Sequence, residues 1–251
     1  SLIIIEGEAL EVIQKLVKKY QIHQVLWNRL YSSETIKRDT IIKKSLQDQG
    51  VEVETFNGHL LNEPWEVQNN SGQYFKVFTP YWRKAFEVYQ SKKEKLEKLK
   101  FINVLSHKEN RAFNFLPKKN WYQKFSKYWT PGEKAGQEQL SKYLKTNIDI
   151  YKEARDRPDL DQTSKLSPYL RFGEISPRTI VLNILKSKKL SASVLTYLSE
   201  IGWREFSYSL LYYSKNLASI PINMKFQKFP WRKSSKDLEL WKKGKTGIPL
   251  V

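Results

Sequence analysis

Thr163, Ser164 and Ser167 bring hydroxyls close together around Lys165, immediately ahead of Pro168-Tyr169-Leu170-Arg171-Phe172-Gly173-Glu174-Ile175-Ser176. Hydroxyl donors, a cation and the free backbone N–H groups of a helix start suit a phosphorylated ligand, a diphosphate above all. Upstream, Tyr151-Lys152-Glu153-Ala154-Arg155-Asp156-Arg157-Pro158 adds a ring that can pack beside such a ligand. The same residues also describe an ordinary capped helix start, because Ser and Thr side chains commonly satisfy backbone groups there. On chemistry alone the capped helix is the simpler account. Neither GxGxxG nor a Walker A pattern occurs, so standard dinucleotide and P-loop sites have no support.

A second group is Tyr197-Leu198-Ser199-Glu200-Ile201-Gly202-Trp203-Arg204-Glu205-Phe206. Helical spacing puts Glu200, Trp203 and Arg204 on nearly one face. Such a face can stack a base and hydrogen-bond its edge. It fits equally an aromatic core stripe with a surface Glu–Arg pair. A third group runs from Lys225 to Lys245, where Lys225, Lys228, Arg232, Lys233, Lys236, Lys242, Lys243 and Lys245 interleave with Phe226, Phe229, Trp231 and Trp241. Basic residues of this kind track phosphates and make binding salt-sensitive. A solvated lysine-rich face is the alternative.

Composition sets the bounds. The 251 residues carry a formal charge of +18 with 8 Trp and 14 Tyr. A field of that sign favours polyanions, nucleic acid before anionic membrane, and aromatic faces beside cations stack bases or a flavin. There is no cysteine, which excludes disulfides, thiolate metal sites and Cys nucleophiles. His23, His59 and His107 are too dispersed for a recognisable metal motif. No apolar run reaches membrane-spanning length, and the expected compartment is the cytoplasm.

The elements that must position these groups fall into two styles. Leu2 to Ile5, Gln24 to Trp27 and Val51 to Phe56 read as strands; Glu8 to Tyr20 and Glu34 to Gln49 read as helices, the latter capped by Ser33. That β-α-β-α-β order implies a parallel, Rossmann-like α/β sheet. Residues 57–80 read as loop, Ala85 to Lys100 as a charged helix and 101–130 as an irregular linker. From Pro131 the pattern is helical, with Ser176-Pro177 a strong helix start and Leu195 to Tyr213 a long helix. The expected fold class is α/β followed by all-α. The apolar starts and stops at Leu2 and Val251 lead to the expectation of an internal portion of a longer protein.

Taken in order, these pieces resemble the DNA photolyase and cryptochrome family, and most of all its bacterial class I cyclobutane pyrimidine dimer photolyases. Trp27-Asn28-Arg29 with Arg38-Asp39, Gly58-His59-Leu60-Leu61 and Lys76-Val77-Phe78-Thr79-Pro80 are similar to the antenna domain. Trp129-Thr130-Pro131-Gly132-Glu133 resembles the entry to the helical flavin domain. The two groups described first, with Gly244-Lys245-Thr246-Gly247-Ile248-Pro249-Leu250-Val251, resemble that domain's first half. The resemblance implies a partial antenna domain over 1–80, a linker over 81–130 and a partial FAD-binding domain over 131–251.

The resemblance also implies roles. Tyr151, Thr163, Ser164, Lys165, Leu166, Ser167 and Tyr197 fall where the family holds FAD. Arg155 falls at a DNA-contacting arginine; Glu200 and Trp203 fall where a flipped dimer is received; Ile201, Gly202, Arg204, Glu205, Phe206 and Ser207 complete the DNA-facing stretch. In such enzymes a reduced flavin excited by blue light passes an electron to the dimer, the cyclobutane ring splits, and the electron returns. The implied partner is UV-damaged DNA, bound by a monomer away from any membrane. Lys165 stands where Arg is usual, Gln162 where Gly is usual and Ile248 where Tyr is usual. Gln73 replaces a folate-holding Glu, so a second, antenna chromophore has no assigned identity. No catalytic residue falls within the chain: the family's residue at flavin N5 and its tryptophan chain are expected beyond Val251. The chain alone is therefore expected to hold FAD weakly and to repair nothing. A cryptochrome-type photoreceptor and a non-catalytic basic nucleic-acid-binding protein are the alternatives.

Overall fold

In the computed structural model, residues 4–95, 115–214, 216–217 and 219–249 are described. The chain divides into two compact units, Ser1–Lys215 and Asn216–Val251. The larger unit opens with α1 (Ala9–Tyr20), β1 (Gln24–Asn28), α2 (Ser33–Gln47) and β2 (Glu52–Phe56). The strands pair in parallel, from Gln24 against Glu52 to Asn28 against Phe56. Val17, Ile42, Leu46, Val51 and Val53 form a small core between helices and strands. Parallel pairing demands a crossover, and α2 supplies it.

Three expectations shift here. Leu2 and Ile3 lie outside the described residues, and Ile4 and Ile5 are exposed and form no strand. Ser32, not Ser33, caps α2: its backbone is extended, and its hydroxyl accepts from the Thr35 amide at 3.3 Å. The helix expected from Ala85 is α3 (Phe78–Ser91), which starts earlier and ends sooner, with residues 96–100 outside the described set. Pro80 lies in the first turn of α3, where Pro is tolerated because its missing N–H has no helical partner.

Between β2 and α3 part of the chain is buried with only a 3-10 turn, Pro64–Glu66, for regular structure: Leu60, Leu61, Asn62, Glu63, Pro64 and Val67 are all buried. Buried loop backbone must find partners. It finds them in side chains from distant elements. The Leu60 carbonyl accepts from Arg178 Nε at 3.2 Å, and the His59 carbonyl accepts from Arg204 Nη1 at 2.7 Å. The Leu61 amide donates to Glu205 at 2.7 Å, while Glu63 accepts from the Tyr31 hydroxyl at 2.9 Å and pairs with Arg29.

The helical part of the same unit comprises α4 (Glu133–Thr146), α5 (Tyr151–Ala154), α6 (Ser167–Phe172), α7 (Pro177–Ser187) and α8 (Ala192–Tyr213). Ser176 caps α7 as expected, accepting from the Thr179 amide at 3.0 Å. Leu140, Tyr143, Ile148, Ile180, Ile184, Val194 and Leu198 build the main core. Gly202 lets α8 approach α3: a β-carbon there would sit 2.5 Å from the Trp82 ring. The smaller unit holds a short 3-10 run, Met224–Lys228, and α9 (Ser235–Lys242), capped by Ser234.

Candidate functional site

One face of α8 recurs at helical spacing as Tyr197, Glu200, Ile201, Arg204 and Tyr208, and it forms one wall of a cavity of about 670 Å³. The opposite wall is Thr163, Ser164, Lys165, Leu166 and Ser167, continued along α6 by Leu170 and Arg171, with Tyr151 of α5 closing the set. Every residue expected to meet the cofactor therefore borders one space. Lys165 turns the chain there with φ at 52°, a left-handed conformation that costs a non-glycine residue about 1–2 kcal/mol. Its ammonium pairs with Asp161 at 2.5 Å. The Ser164 carbonyl accepts from Gln139 Nε2 at 2.9 Å, which ties the turn to α4.

Here Tyr151 packs edge to face against Tyr143 and Tyr197, 5.1 Å from Tyr197 between ring centroids, while Tyr143 and Tyr197 meet tilted at 47° with centroids 4.9 Å apart. Burial pushes all three phenols above the ordinary tyrosine range, so they stay neutral hydrogen-bond donors. The Tyr143 hydroxyl is buried without a partner.

At the mouth, Glu200 pairs with Arg155, whose guanidinium also lies 5.8 Å from the Tyr151 ring centroid. The two residues expected to meet DNA and the dimer thus neutralise each other here. Trp203 keeps 46 % of its surface exposed and stacks its ring on Phe78, centroids 3.7 Å apart. Ser207 is exposed and donates back to the Trp203 carbonyl at 2.8 Å.

Three members of the expected DNA-facing stretch lie elsewhere. Gly202 is buried against Trp82, and Phe206 is buried beside Phe78 and Tyr81. Glu205 is buried as well: one carboxylate oxygen accepts from the Leu61 amide, the other from Arg204 Nη1 at 3.1 Å. Burial pushes its carboxyl up to about 7, opposed by Arg204, the Leu61 and Asn62 amides and Arg178. The physical reason is the helical period, which turns these positions toward α3 and the buried loop.

Leu170, Arg171 and Tyr208 also line the cavity without having been singled out. Their signal was periodic: Leu170 and Arg171 sit one turn after Ser167, and Tyr208 one turn after Arg204. A smaller cavity of about 210 Å³ lies by the ends of β1 and β2, lined by Trp27, Arg29, Tyr31, Asp39, Trp65 and Tyr212 among others. Among the described residues no cluster of His, Asp or Glu suits a metal, and no helix is long and apolar enough to cross a membrane.

Two family models match the chain: DNA photolyase over residues 1–100 and the FAD binding domain of DNA photolyase over residues 197–251. A deoxyribodipyrimidine photo-lyase of Agrobacterium fabrum is 34 % identical, over 100 % of this chain and 53 % of its own length. Cryptochrome-1 of Arabidopsis thaliana is 29 % identical, over 94 % of this chain and 37 % of its own. The crystal structure of a bacterial class III photolyase from Agrobacterium tumefaciens superposes with a TM-score of 0.85 at 31 % identity, covering 99 % of this chain and 53 % of that one. The chain spans about half the length of the curated photolyase it matches. By its sequence and its α/β-then-helical fold, the chain belongs to the DNA photolyase and cryptochrome family.

Proposed function

We propose that the protein is a light-driven DNA repair enzyme acting on UV-induced cyclobutane pyrimidine dimers, with FAD seated in the cavity bordered by α6 and α8. The observation that carries this reading is the convergence of Tyr151, Thr163, Ser164, Lys165, Leu166, Ser167 and Tyr197 on one cavity. The donor set suits the group. Hydroxyls of Thr163, Ser164 and Ser167 with the cations Lys165, Arg171 and Arg204 match a diphosphate, while Tyr151, Tyr197 and Tyr208 present rings and phenolic donors.

When bound and reduced, the flavin supplies a light-driven electron for ring splitting. The residues of this chain bind and orient. Arg155 takes a phosphate of the DNA backbone, which frees Glu200 to accept a hydrogen bond from an extruded pyrimidine. Trp203 offers its exposed face to that base, held in place by the Phe78 stack. Leu166 and Ile201 keep water from the reacting centre. The smaller cavity by β1 and β2 is the place for a second chromophore of unassigned identity. Similarity to a class III enzyme supports that class over class I. The protein works as a monomer in the cytoplasm.

The cryptochrome-type photoreceptor stays as a second reading, supported by the likeness to Cryptochrome-1. Calorimetric titration of the full-length protein with FAD tests the site. Arg171→Ala is expected to weaken binding about tenfold or more, the size of a lost charge-assisted contact. Unchanged affinity in both Arg171→Ala and Ser164→Val would remove the cavity as the flavin site.

A further inference from the structure

Glu205 does not line the cavity, yet it holds one of the cavity's cations, Arg204. Arg204 Nη1 donates to the His59 carbonyl at 2.7 Å and to Glu205 at 3.1 Å, and its guanidinium lies 4.9 Å from the Tyr208 ring centroid. A guanidinium is planar and rigid, so fixing Nη1 beside the Tyr208 ring restricts the directions of the remaining donors. The second Glu205 oxygen receives the Leu61 amide, which belongs to the buried loop bearing the His59 carbonyl. One carboxylate therefore anchors Arg204 twice: directly, and through the loop that supplies Arg204's other acceptor.

We propose that Glu205 is a positioning residue whose ionised carboxylate holds Arg204 at the cavity wall, so that the grip on an anionic ligand follows the ionisation of Glu205. The neutral acid keeps fewer acceptor sites for the Leu61 and Asn62 amides and Arg204 together, and offers the guanidinium no opposite charge. The groups facing Glu205 from its neighbours are Arg204 on α8, Arg178 on α7, Tyr81 and Tyr89 on α3, and Tyr31 after β1. The tyrosines, pushed up by burial, stay neutral near pH 7. His59, held below the ordinary histidine range by burial and by Arg204 and Arg171, also lies nearby, and Glu94 and Glu63 contact Arg178 and Tyr31.

The inference rests on the flavin reading for its ligand and not for its geometry, and the test separates the two. FAD affinity of the full-length protein is measured from pH 6 to pH 8, beside the Nε–Hε resonance of Arg204 in arginine-labelled protein. Wild type is expected to bind about tenfold more tightly at the upper end, with a midpoint near 7, the value to which burial pushes Glu205. His59→Gln keeps that profile. Glu205→Gln abolishes it and binds at least tenfold more weakly at pH 8. A pH-dependent rise that survives in Glu205→Gln, or equal affinity at pH 8, overturns the proposal. If no FAD binds at any pH while the Arg204 resonance still titrates near 7, the cavity reading falls and the positioning role stands. If FAD binds and the resonance of wild-type Arg204 does not move, the positioning role falls alone. The wild-type resonance decides the matter even where Glu205→Gln fails to fold.

Discussion

The cavity of the larger unit and the segment 216–249 are made from the same kinds of residue, aromatic and basic, and they use them differently. Around the cavity Tyr143, Tyr151, Tyr169 and Tyr197 are buried, and Arg155 and Arg204 each have a carboxylate partner. In the smaller unit Phe226, Phe229, Trp231, Leu238 and Trp241 all stay more than half exposed or close to it, and Trp231 is 67 % exposed. Its aromatic contacts include a Phe229–Trp231 ring pair and a Trp231 hydrogen bond to the Phe226 carbonyl at 3.1 Å. Both places use aromatic and basic residues; what separates them is burial, since α8 has a packed face and α9 has no buried residue.

The contrast can be broken by mutation, starting where it is steepest. Leu198 is almost fully buried in the main core, and Leu198→Ala is expected to cost about 2–5 kcal/mol in denaturant unfolding. A cost under 1 kcal/mol would mean that α8 is not the packed frame of the cavity. Next comes pH. The Glu205 carboxyl is raised in the folded state, so its favourable share is present below the unfolded value of about 4.5 and is lost as pH rises toward 7. Wild type should therefore lose stability over that window, by on the order of 3 kcal/mol at most, with the slope reduced in Glu205→Gln. A slope of equal size in the variant would assign the effect to other groups.

Smaller effects sharpen the picture. Gly202→Ala forces a β-carbon against the Trp82 ring, and overpacking of this kind costs about 1–3 kcal/mol. Lys165→Gly relieves a left-handed backbone and is expected to raise stability by about 1 kcal/mol in thermal unfolding while weakening anion binding. No gain in stability would show that the turn is not strained. Trp231→Ala, at the exposed end of the comparison, should change the stability of the larger unit by no more than about 0.5 kcal/mol.

Much of this was legible in the residues. Alternation at Val51 to Phe56 gave a strand, Ser176-Pro177 gave a capped helix start, and the apolar spacing of Glu8 to Tyr20 gave α1. The cavity-facing residues of α8 follow from the helical period once Tyr197 and Glu200 are chosen, and the same period argues against Gly202, Glu205 and Phe206. The buried loop was not legible. Its hydrogen bonds come from Arg29, Tyr31, Arg178, Arg204 and Glu205, far along the chain, and no local pattern at 57–67 announces a burial that depends on them. Residues 57–80 read as loop because Pro64, Asn69, Asn70, Gly72 and Pro80 read as breakers, although Pro64 opens a 3-10 turn and Pro80 sits in a helix.

The most direct measurement of the central claim is the count of cyclobutane dimers left in a UV-irradiated oligonucleotide after incubation with the full-length, FAD-loaded protein. Under blue light the account predicts a falling count with wild type, at least a tenfold slower fall with Glu200→Ala, and none in the dark. An unchanged count under light with the flavin bound and the DNA retained would contradict the repair reading and leave the photoreceptor reading standing.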